Sequence, residues 1–594
     1  MIKTSKVFRL IQLSRYAFGK YKRQILGLVV LGFFSGLFEG VGVNALIPLL
    51  SFAGGDYDQA DDFISQMLQN FFALIHVDFS VKFILIFIVV VFALKALVSI
   101  LFEYINIRIT SDYEDRTRRN LFEKMLGSSW QHLMKHKLGF LETILMVDVP
   151  ASSDLLRAIS ASIITITGLI IYVAVAINIS PIITLITLLL GGILFLIFNP
   201  IVKKMRDISM DLTRVNKNAT HVVSENILGV KSIKSMMASG PIAKKGSVHF
   251  DKIRDLTVLI RLLKSIINST IIPIGIFYIT VIFAVSYKSP DFGFASLAAI
   301  VYLVHRIFTY IQQLQGSLLN FNSYLPHLSS VIDYEKNVTE NQEKNNGTKA
   351  FSFENQLKFS DVHFSYTNGR EVLRGVHFEV NKGEFIGLIG PSGVGKTTLV
   401  DLILRLFVPH KGTITIDGVD ISDIDLSEWR KNIGYVSQDI FLINDSISQN
   451  IAFFDTSISH SQIKEAAKKA HILDFIESLP HGFATHIGER GLELSVGQRQ
   501  RLVIARILAK KPKILILDEA TSALDNESEA QIQHVIRELK GGITVIVIAH
   551  RLSTIMDSDR LLILEKGKIG EAGDPKKLVE NRDSYFFKVY NIRQ

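Results

Sequence analysis

Six apolar stretches crowd the first 330 residues of the chain, at about 24–50, 81–104, 158–179, 182–200, 265–287 and 293–318. A run of about 20 apolar residues, rising 1.5 Å per residue, crosses the roughly 30 Å of a bilayer's hydrocarbon core. Inside hydrocarbon a lone segment can satisfy its backbone only as a helix. The stretches therefore predict an all-α membrane domain of six spans, the third and fourth joined by a tight turn at Ser180 and Pro181. An even number of spans returns both chain ends to the same side.

Charge says which side that is. Segment 51–80 carries Asp56, Asp58, Asp61, Asp62 and Asp78 with no Lys or Arg. Segments 105–157 and 201–264 are basic, with Arg116, Arg118, Arg119, Lys124, Lys203, Lys204, Arg206, Lys244 and Lys245 among others. Basic loops stay in the cytoplasm, so both termini are expected inside. The two basic segments also read as helical, so spans two to five are expected to run on into the cytoplasm. Residues 1–23 interleave Lys3, Lys6, Arg9, Arg15, Lys20, Lys22 and Arg23 with Ile, Leu, Phe and Tyr, the pattern of an amphipathic elbow helix on an anionic membrane surface. They lack the apolar core and cleavage site of a removable signal peptide. The net charge of +9 thus belongs to membrane flanks, and nucleic acid is not an expected partner. With no cysteine, the chain has no disulfide, no thiolate zinc site and no cysteine-protease chemistry.

The later half differs in kind. From about Asn355, short β-branched strands alternate with charged helices, as in a soluble α/β domain. Residues 332–355, "IDYEKNVTENQEKNNGTKAFSFEN", are polar without an apolar period and read as a linker. The expected organisation is an elbow helix over 1–23, a six-span domain over 24–331, a linker over 332–355 and an α/β domain over 356–594.

"GPSGVGKTT", residues 390–398, follows the apolar "FIGLI" and precedes the helical "LVDLILRLF". This is a phosphate-binding loop in its required setting: Gly390, Gly393 and Gly395, with Ser392 and Thr398, let backbone N–H groups face phosphates at a helix N-terminus. Lys396 would reach the β and γ phosphates and the Thr397 hydroxyl would ligate Mg²⁺. Alone, the stretch could be a glycine turn before a helix. "KILILDEA", 513–520, ends an apolar strand in Asp518, suited to hold Mg²⁺ through water, and Glu519, suited to polarise an attacking water. "LSVGQRQR", 494–501, opens a helix where Ser495 and the amides through Gly497 and Gln498 could bind a γ-phosphate.

Together these motifs resemble an ATP-binding cassette transporter of the exporter type, over essentially the whole chain. The resemblance implies a type I exporter fold, six membrane helices fused to a P-loop nucleotide-binding domain, with ATP and Mg²⁺ as cofactors. It also implies further roles. Tyr366 in "VHFSY" would stack on adenine, and Gln438 in "YVSQD" would sense Mg²⁺ and act beside the catalytic Glu519. Asp525 in "SALD" would belong to the D-loop, and His550 in "IAHR" would contact the γ-phosphate. Each ATP is sandwiched between two subunits in this family, so one cassette per chain implies a dimer, and the complete set of hydrolytic residues favours a homodimer. Short coupling helices are expected near Leu138 to Val147 and Gly229 to Gly240. The signature departs from the usual LSGGQ at Val496, which is tolerable if that residue keeps φ negative. The fused layout without a serine-rich leader fits a bacterial inner membrane.

Glu39 is a carboxylate inside the first span, where an ionisable group is costly unless it faces a partner, cavity or substrate path. Counted from Gln24, it lies about 22 Å deep, while Lys95, counted inward from Val81, lies about 21 Å below the outer face. The two then differ in depth by about 13 Å and are not expected to pair. His305 and Arg306 fall near the depth of Lys95. The expectation is a basic belt of Lys95, His305 and Arg306 for an anionic headgroup such as a phosphate or pyrophosphate, with Glu39 higher up. Lys95 and Arg306 could instead snorkel. Gly32, Gly36 and Gly40 share one helix face and suit close packing. A carboxylate followed by Pro48 in span one is similar to bacterial lipid-linked oligosaccharide flippases. That amphipathic cargo ranks first, ahead of a multidrug, lipid or peptide exporter. An ATP-switched regulatory or channel-like protein is the alternative of another class.

Overall fold

The computed structural model describes residues 6–46, 48–49, 63–74, 76–136, 138–286, 294–366, 369–518, 526–548 and 551–592. It divides into two compact units, Met1–Ser128 with His132–Gln342, and Ser129–Gln131 with Glu343–Gln594.

The first unit is helical: α1 Lys6–Phe18, α2 Lys22–Asn44, α3 Phe63–Leu74, α4 Val81–Leu126, α5 Trp130–Leu133 (its first two residues grouped with the second unit), α6 Leu138–Thr143, α7 Val149–Ile179, α8 Pro181–Leu228, α9 Val230–Ser235, α10 Ser239–Ser286 and α11 Phe294–Glu340. Among the described residues, five stretches are long and apolar enough to cross a membrane: Gln12–Asn44, Val81–Leu126, Gly139–Ile179, Pro181–Leu228 and Ser239–Val285. The sixth expected span falls on α11, apart from residue 293, which lies outside the described residues. α4, α8, α10 and α11 each run for 46 to 48 residues. At about 70 Å each, they are more than twice the depth of a hydrocarbon core; for α4, α8 and α10 the helical pattern of the basic segments predicts this.

Small residues set how these helices meet. A Cβ on Gly32 or Gly36 would touch α7 at Ile163, Thr167, Gly168 or Ile171, and one on Gly40 would press on Ile171. The glycine face is therefore a packing face against α7. α2 also runs antiparallel to α4, in a register that places Ser35 Oγ 3.1 Å from Ser99 Oγ and Gly42 against Phe92.

Three sequence expectations change. The segment read as an acidic loop contains the apolar helix α3, whose Phe71 and Phe72 rings lie 5.5 and 5.7 Å from that of Phe87. The nearby aspartates hid its apolar period. α11 continues to Glu340, so 332–340, expected to begin a linker, are its last turns. Residues 138–147, expected as a coupling helix, start the third long helix through α6 and a π-helical turn over Ile144–Asp148. The short helix between α4 and α6 is α5, whereas α9 falls within the expected 229–240.

Among its described residues the second unit holds two sheets. β1 Gln356–Ser365, β2 Glu371–Asn381, β4 Lys411–Ile416 and β5 Val419–Asp420 form an antiparallel sheet in the order β2-β1-β4-β5. β3 Phe385–Ile389, β6 Ile433–Val436, β7 Ile514–Asp518, β8 Thr544–Ile548, β9 Arg560–Glu565 and β10 Lys568–Gly573 form the other, in the order β10-β9-β3-β8-β7-β6. β3, β7 and β8 are buried along their whole length, as central parallel strands covered on both faces must be. This order leaves only β8 between β3, which feeds the phosphate loop, and β7, which ends in Asp518. Ligands bind at such carboxyl edges in open α/β sheets.

Candidate nucleotide site and intramembrane charge cluster

The loop after β3 enters α12, Lys396–Ile403. Gly393 and Gly395 have φ of +76° and +114°, and a Cβ on Gly395 would press on Leu373 and Val372. Glycine is thus required at Gly395 by conformation and by space. Ser392, Gly393 and Thr397 are exposed along the loop, whereas Lys396 and Thr398 are buried. The Lys396 ammonium donates to the carbonyls of Gly390 and Pro391 at 2.9 and 3.1 Å, which holds a buried cation at the mouth of the loop. Thr398 Oγ1 and the Tyr366 hydroxyl are 3.0 Å apart. Edge contacts with Phe364 and Phe407 fix the Tyr366 ring beside the helix start.

Asp518, 5% exposed, accepts a hydrogen bond of 3.4 Å from the Tyr435 hydroxyl. Burial and the nearby Asp518 charge push the Asp401 carboxyl up to about 6. Asp401 lies one helical turn beyond Thr397 and was missed in the sequence; its spacing of four from Thr397 is the signal that could have found it. A hydroxyl and two crowded carboxylates form a hard-oxygen donor set whose repulsion a divalent cation relieves, so these residues fit Mg²⁺. Gln438 is exposed just beyond β6.

The signature stretch opens α14, where α13 denotes His460–Lys469 and α14 Val496–Ala509. Ser495 is its N-cap: Ser495 Oγ accepts from the Gln498 amide at 3.2 Å and the Ser495 amide donates to Gln498 Oε1 at 2.8 Å. This capping box engages an Oγ lone pair and leaves the hydroxyl proton to donate to an anion. Val496 is the first helical residue, is absent from the positive-φ residues and is 38% exposed, so the departure carries no backbone strain. Gly497 is buried behind it. Glu519, Asp525 and His550 lie outside the described residues.

The membrane unit corrects one reading. Glu39, 6% exposed, is held from four directions. Lys95 Nζ lies 2.9 Å from its Oε2, and the Arg306 guanidinium contacts its Oε1. The hydroxyls of Tyr172 and Tyr310 donate to the same carboxylate at 3.0 and 3.2 Å. The Arg306 guanidinium also lies over both rings, 5.6 and 5.2 Å from their centroids. The expectation that Glu39 and Lys95 stand too far apart to pair is therefore wrong. Span ends inferred from composition misplaced the α2–α4 register, which Ser35–Ser99 and Gly42–Phe92 fix with Glu39 level with Lys95. Nor do the described residues form a separate belt below Glu39: Lys95 and Arg306 converge on it, while His305 is exposed and outside the cluster. One carboxylate and two cations leave one excess positive charge. Beside it, a cavity of about 780 Å³ is lined mainly by apolar side chains, among them Phe38, Phe72, Phe87, Leu94 and Ile171.

Comparison with known proteins agrees with both halves. A family model described as the ABC transporter transmembrane region matches residues 29–317, and one described as ABC transporter matches 373–522. The heterocyst differentiation ATP-binding protein HepA of Nostoc sp. is 32% identical over 481 residues, 79% of this chain and 77% of that protein. An ATP-dependent lipid A-core flippase of Saccharophagus degradans is 36% identical over 404 residues, 67% of each. The solved structure of a bacterial Atm1-family ABC exporter with ATP bound superposes with a TM-score of 0.75 at 25% identity, covering 96% of this chain and 98% of that one.

Proposed function

Because this chain belongs to the ABC transporter family, as an exporter-type half-transporter with its own nucleotide-binding domain, we propose that it works as a homodimer that hydrolyses ATP to flip an amphipathic, anionic glycolipid across the bacterial inner membrane. A lipid-linked oligosaccharide is the first cargo. In this reading both termini and the nucleotide-binding domain are cytoplasmic, and Thr397, Gln438 and Asp518 hold the Mg²⁺ that accompanies ATP. Glu519 and His550 act on the γ-phosphate, with Gln438 beside them.

The observation that carries the cargo class is the excess positive charge at Glu39, Lys95 and Arg306 beside a large apolar cavity. A phosphate or pyrophosphate can compete with Glu39 for the two cations, while acyl or polyprenyl chains fill apolar space. A lipid A-core type glycolipid is the second reading, favoured by the name of the Saccharophagus degradans relative. It shares the same chemistry: phosphates on a sugar carried by lipid chains. Drug or peptide export would use the apolar cavity but not the excess charge.

The test is ATP-dependent translocation of a fluorescent lipid-linked oligosaccharide in proteoliposomes, with Glu519→Gln as the non-hydrolysing blank. Translocation by the wild type and none by the variant is the expected result. Hydrolysis without translocation of this cargo would transfer the reading to the lipid A-core class, tested the same way. Full activity in Glu519→Gln would replace the motor with an ATP-binding switch.

A further inference from the structure

On the nucleotide-binding domain, away from the phosphate loop in sequence, two histidines and a glutamate share one point. Glu538 accepts from His471 through His471 Nε2 and Glu538 Oε2 at 3.1 Å, and pairs with His534 through Nδ1 and Oε1 at 3.2 Å. One ligand atom from each of the three lies within 4.8 Å of the others. We propose that His471, His534 and Glu538 form a binding site for a zinc-class divalent cation, which ties the turn after α13 to helix α15, Asn526–Leu539.

Chemistry and spacing both support it. Imidazole with a carboxylate suits Zn²⁺ and its borderline neighbours, whereas Mg²⁺ prefers oxygen alone. Tetrahedral zinc at about 2.0–2.1 Å from its ligands needs donor atoms roughly 3.3 Å apart; the two imidazole nitrogens lie 3.1 and 3.2 Å from different oxygens of Glu538, and with one atom from each residue already within 4.8 Å of the others, small side-chain rotations close the set. His534 and Glu538, four residues apart, project from one face of α15, a spacing that gives two metal ligands on a helix. The side chains of His471, His534 and Glu538 are 37%, 60% and 49% exposed, which leaves room for a water as fourth ligand.

The third ligand comes from a fixed turn. His471 sits at φ +50° between Ala470 and Ile472, both buried at 1% exposure or less. Its amide donates to the Lys468 carbonyl at 3.0 Å, and its own carbonyl accepts from Arg501 Nη1 at 2.7 Å. Arg501 belongs to α14, the helix that Ser495 caps, so an ion held here would join that helix, through the His471 turn, to α15. The site thus offers metal control over the helix that carries the signature stretch.

The experiment uses the full chain in nanodiscs, carrying an affinity tag without histidine. Equilibrium dialysis against Zn²⁺ alone, with metal content measured by atomic absorption, compares the wild type with His471→Ala, His534→Gln and Glu538→Gln. The wild type should retain one Zn²⁺ per chain more than each variant, and Zn²⁺ should raise its Tm but not theirs. Equal zinc content in the wild type and His534→Gln would overturn the proposal. His534 is the most exposed ligand, so that variant tests the site even if His471→Ala disturbs its turn.

Discussion

Glu39 shows how a charge can sit at 6% exposure inside a membrane domain. Two cations and two phenols replace the water it has lost, and they come from three helices, Lys95 from α4, Tyr172 from α7, and Arg306 and Tyr310 from α11. Removing one partner of a buried ion pair typically costs about 3–5 kcal/mol, much of it the penalty of stranding the other charge. Glu39→Gln would leave Lys95 and Arg306 facing each other without a counter-charge. It should lower stability by about 3 kcal/mol, seen as a lower Tm in nanodiscs. Lys95→Met should cost clearly less, because Glu39 keeps Arg306, Tyr172 and Tyr310. Equal losses would mean that the cluster is not organised around the carboxylate. Asp401 is strained in the opposite sense. Its folded pKa of about 6 exceeds the ordinary 3.8, so the folded state holds the proton more tightly than the unfolded state. The resulting destabilisation is full above about pH 6 and fades as pH falls toward 3.8. Asp401→Asn in protein free of nucleotide and Mg²⁺ should therefore gain about 2 kcal/mol at pH 7.5, after allowance for solvent screening at this partly exposed carboxyl, and roughly half of that at pH 5. Thermal melts at the two pH values measure the difference, and a gain that grew toward acid would contradict the assignment.

At the scale of elements, glycine governs how close the membrane helices come. A Cβ on Gly168 would lie 2.7 Å from the Tyr310 ring and hydroxyl, so Gly168→Ala must push away a tyrosine that donates to Glu39. The expected cost is about 1–3 kcal/mol, as for overpacking elsewhere. Gly192→Ala, with nothing within 4 Å of its Cβ, should be neutral or slightly stabilising, since alanine is the better helix former. Equal Tm shifts for the two would refute the packing argument. The glycine face on α2 was legible in the sequence because spacing by four is a local property. Local reading also recovered the glycine loop between β3 and α12, the strand ending in Asp518 and the helix that opens after Ser495, features that depend on neighbours close in the chain. The α2–α4 register was not legible. It is fixed by contacts between residues 64 apart, such as Ser35 with Ser99, whereas apolar composition marks span ends only loosely. The expected gap of about 13 Å between Glu39 and Lys95 amounts to a register error of about nine residues. α3 escaped for a related reason: charge dominated the reading of its segment, although seven of its twelve residues, Phe63, Ile64, Met67, Leu68, Phe71, Phe72 and Leu74, are large and apolar.

At the scale of the whole molecule, one chain supplies a single phosphate loop and a single signature helix. The proposed homodimer makes a sharp claim about how they combine: the loop of one subunit works with the signature of its partner. Lys396→Ala removes the cation that would meet the phosphates, and Ser495→Ala removes the hydroxyl that caps α14, so each variant alone should lose ATP hydrolysis. In a mixed dimer of the two variants, one composite site carries both lesions and the other carries neither. Random pairing makes half of the dimers mixed, each with one intact site of two. Co-expression should then restore about a quarter of wild-type hydrolysis if the sites turn over independently, and purification through two different tags should raise this toward half. If both motifs served one site within a single chain, every site in the mixture would carry one lesion and nothing would return. A site that needs its twin to fire would also stay silent, but the two cases separate in a dimer of wild type with Lys396→Ala. Strict coupling abolishes its hydrolysis, whereas sites confined to single chains leave half. The measurement thus distinguishes a shared site from a private one by how two lesions are distributed.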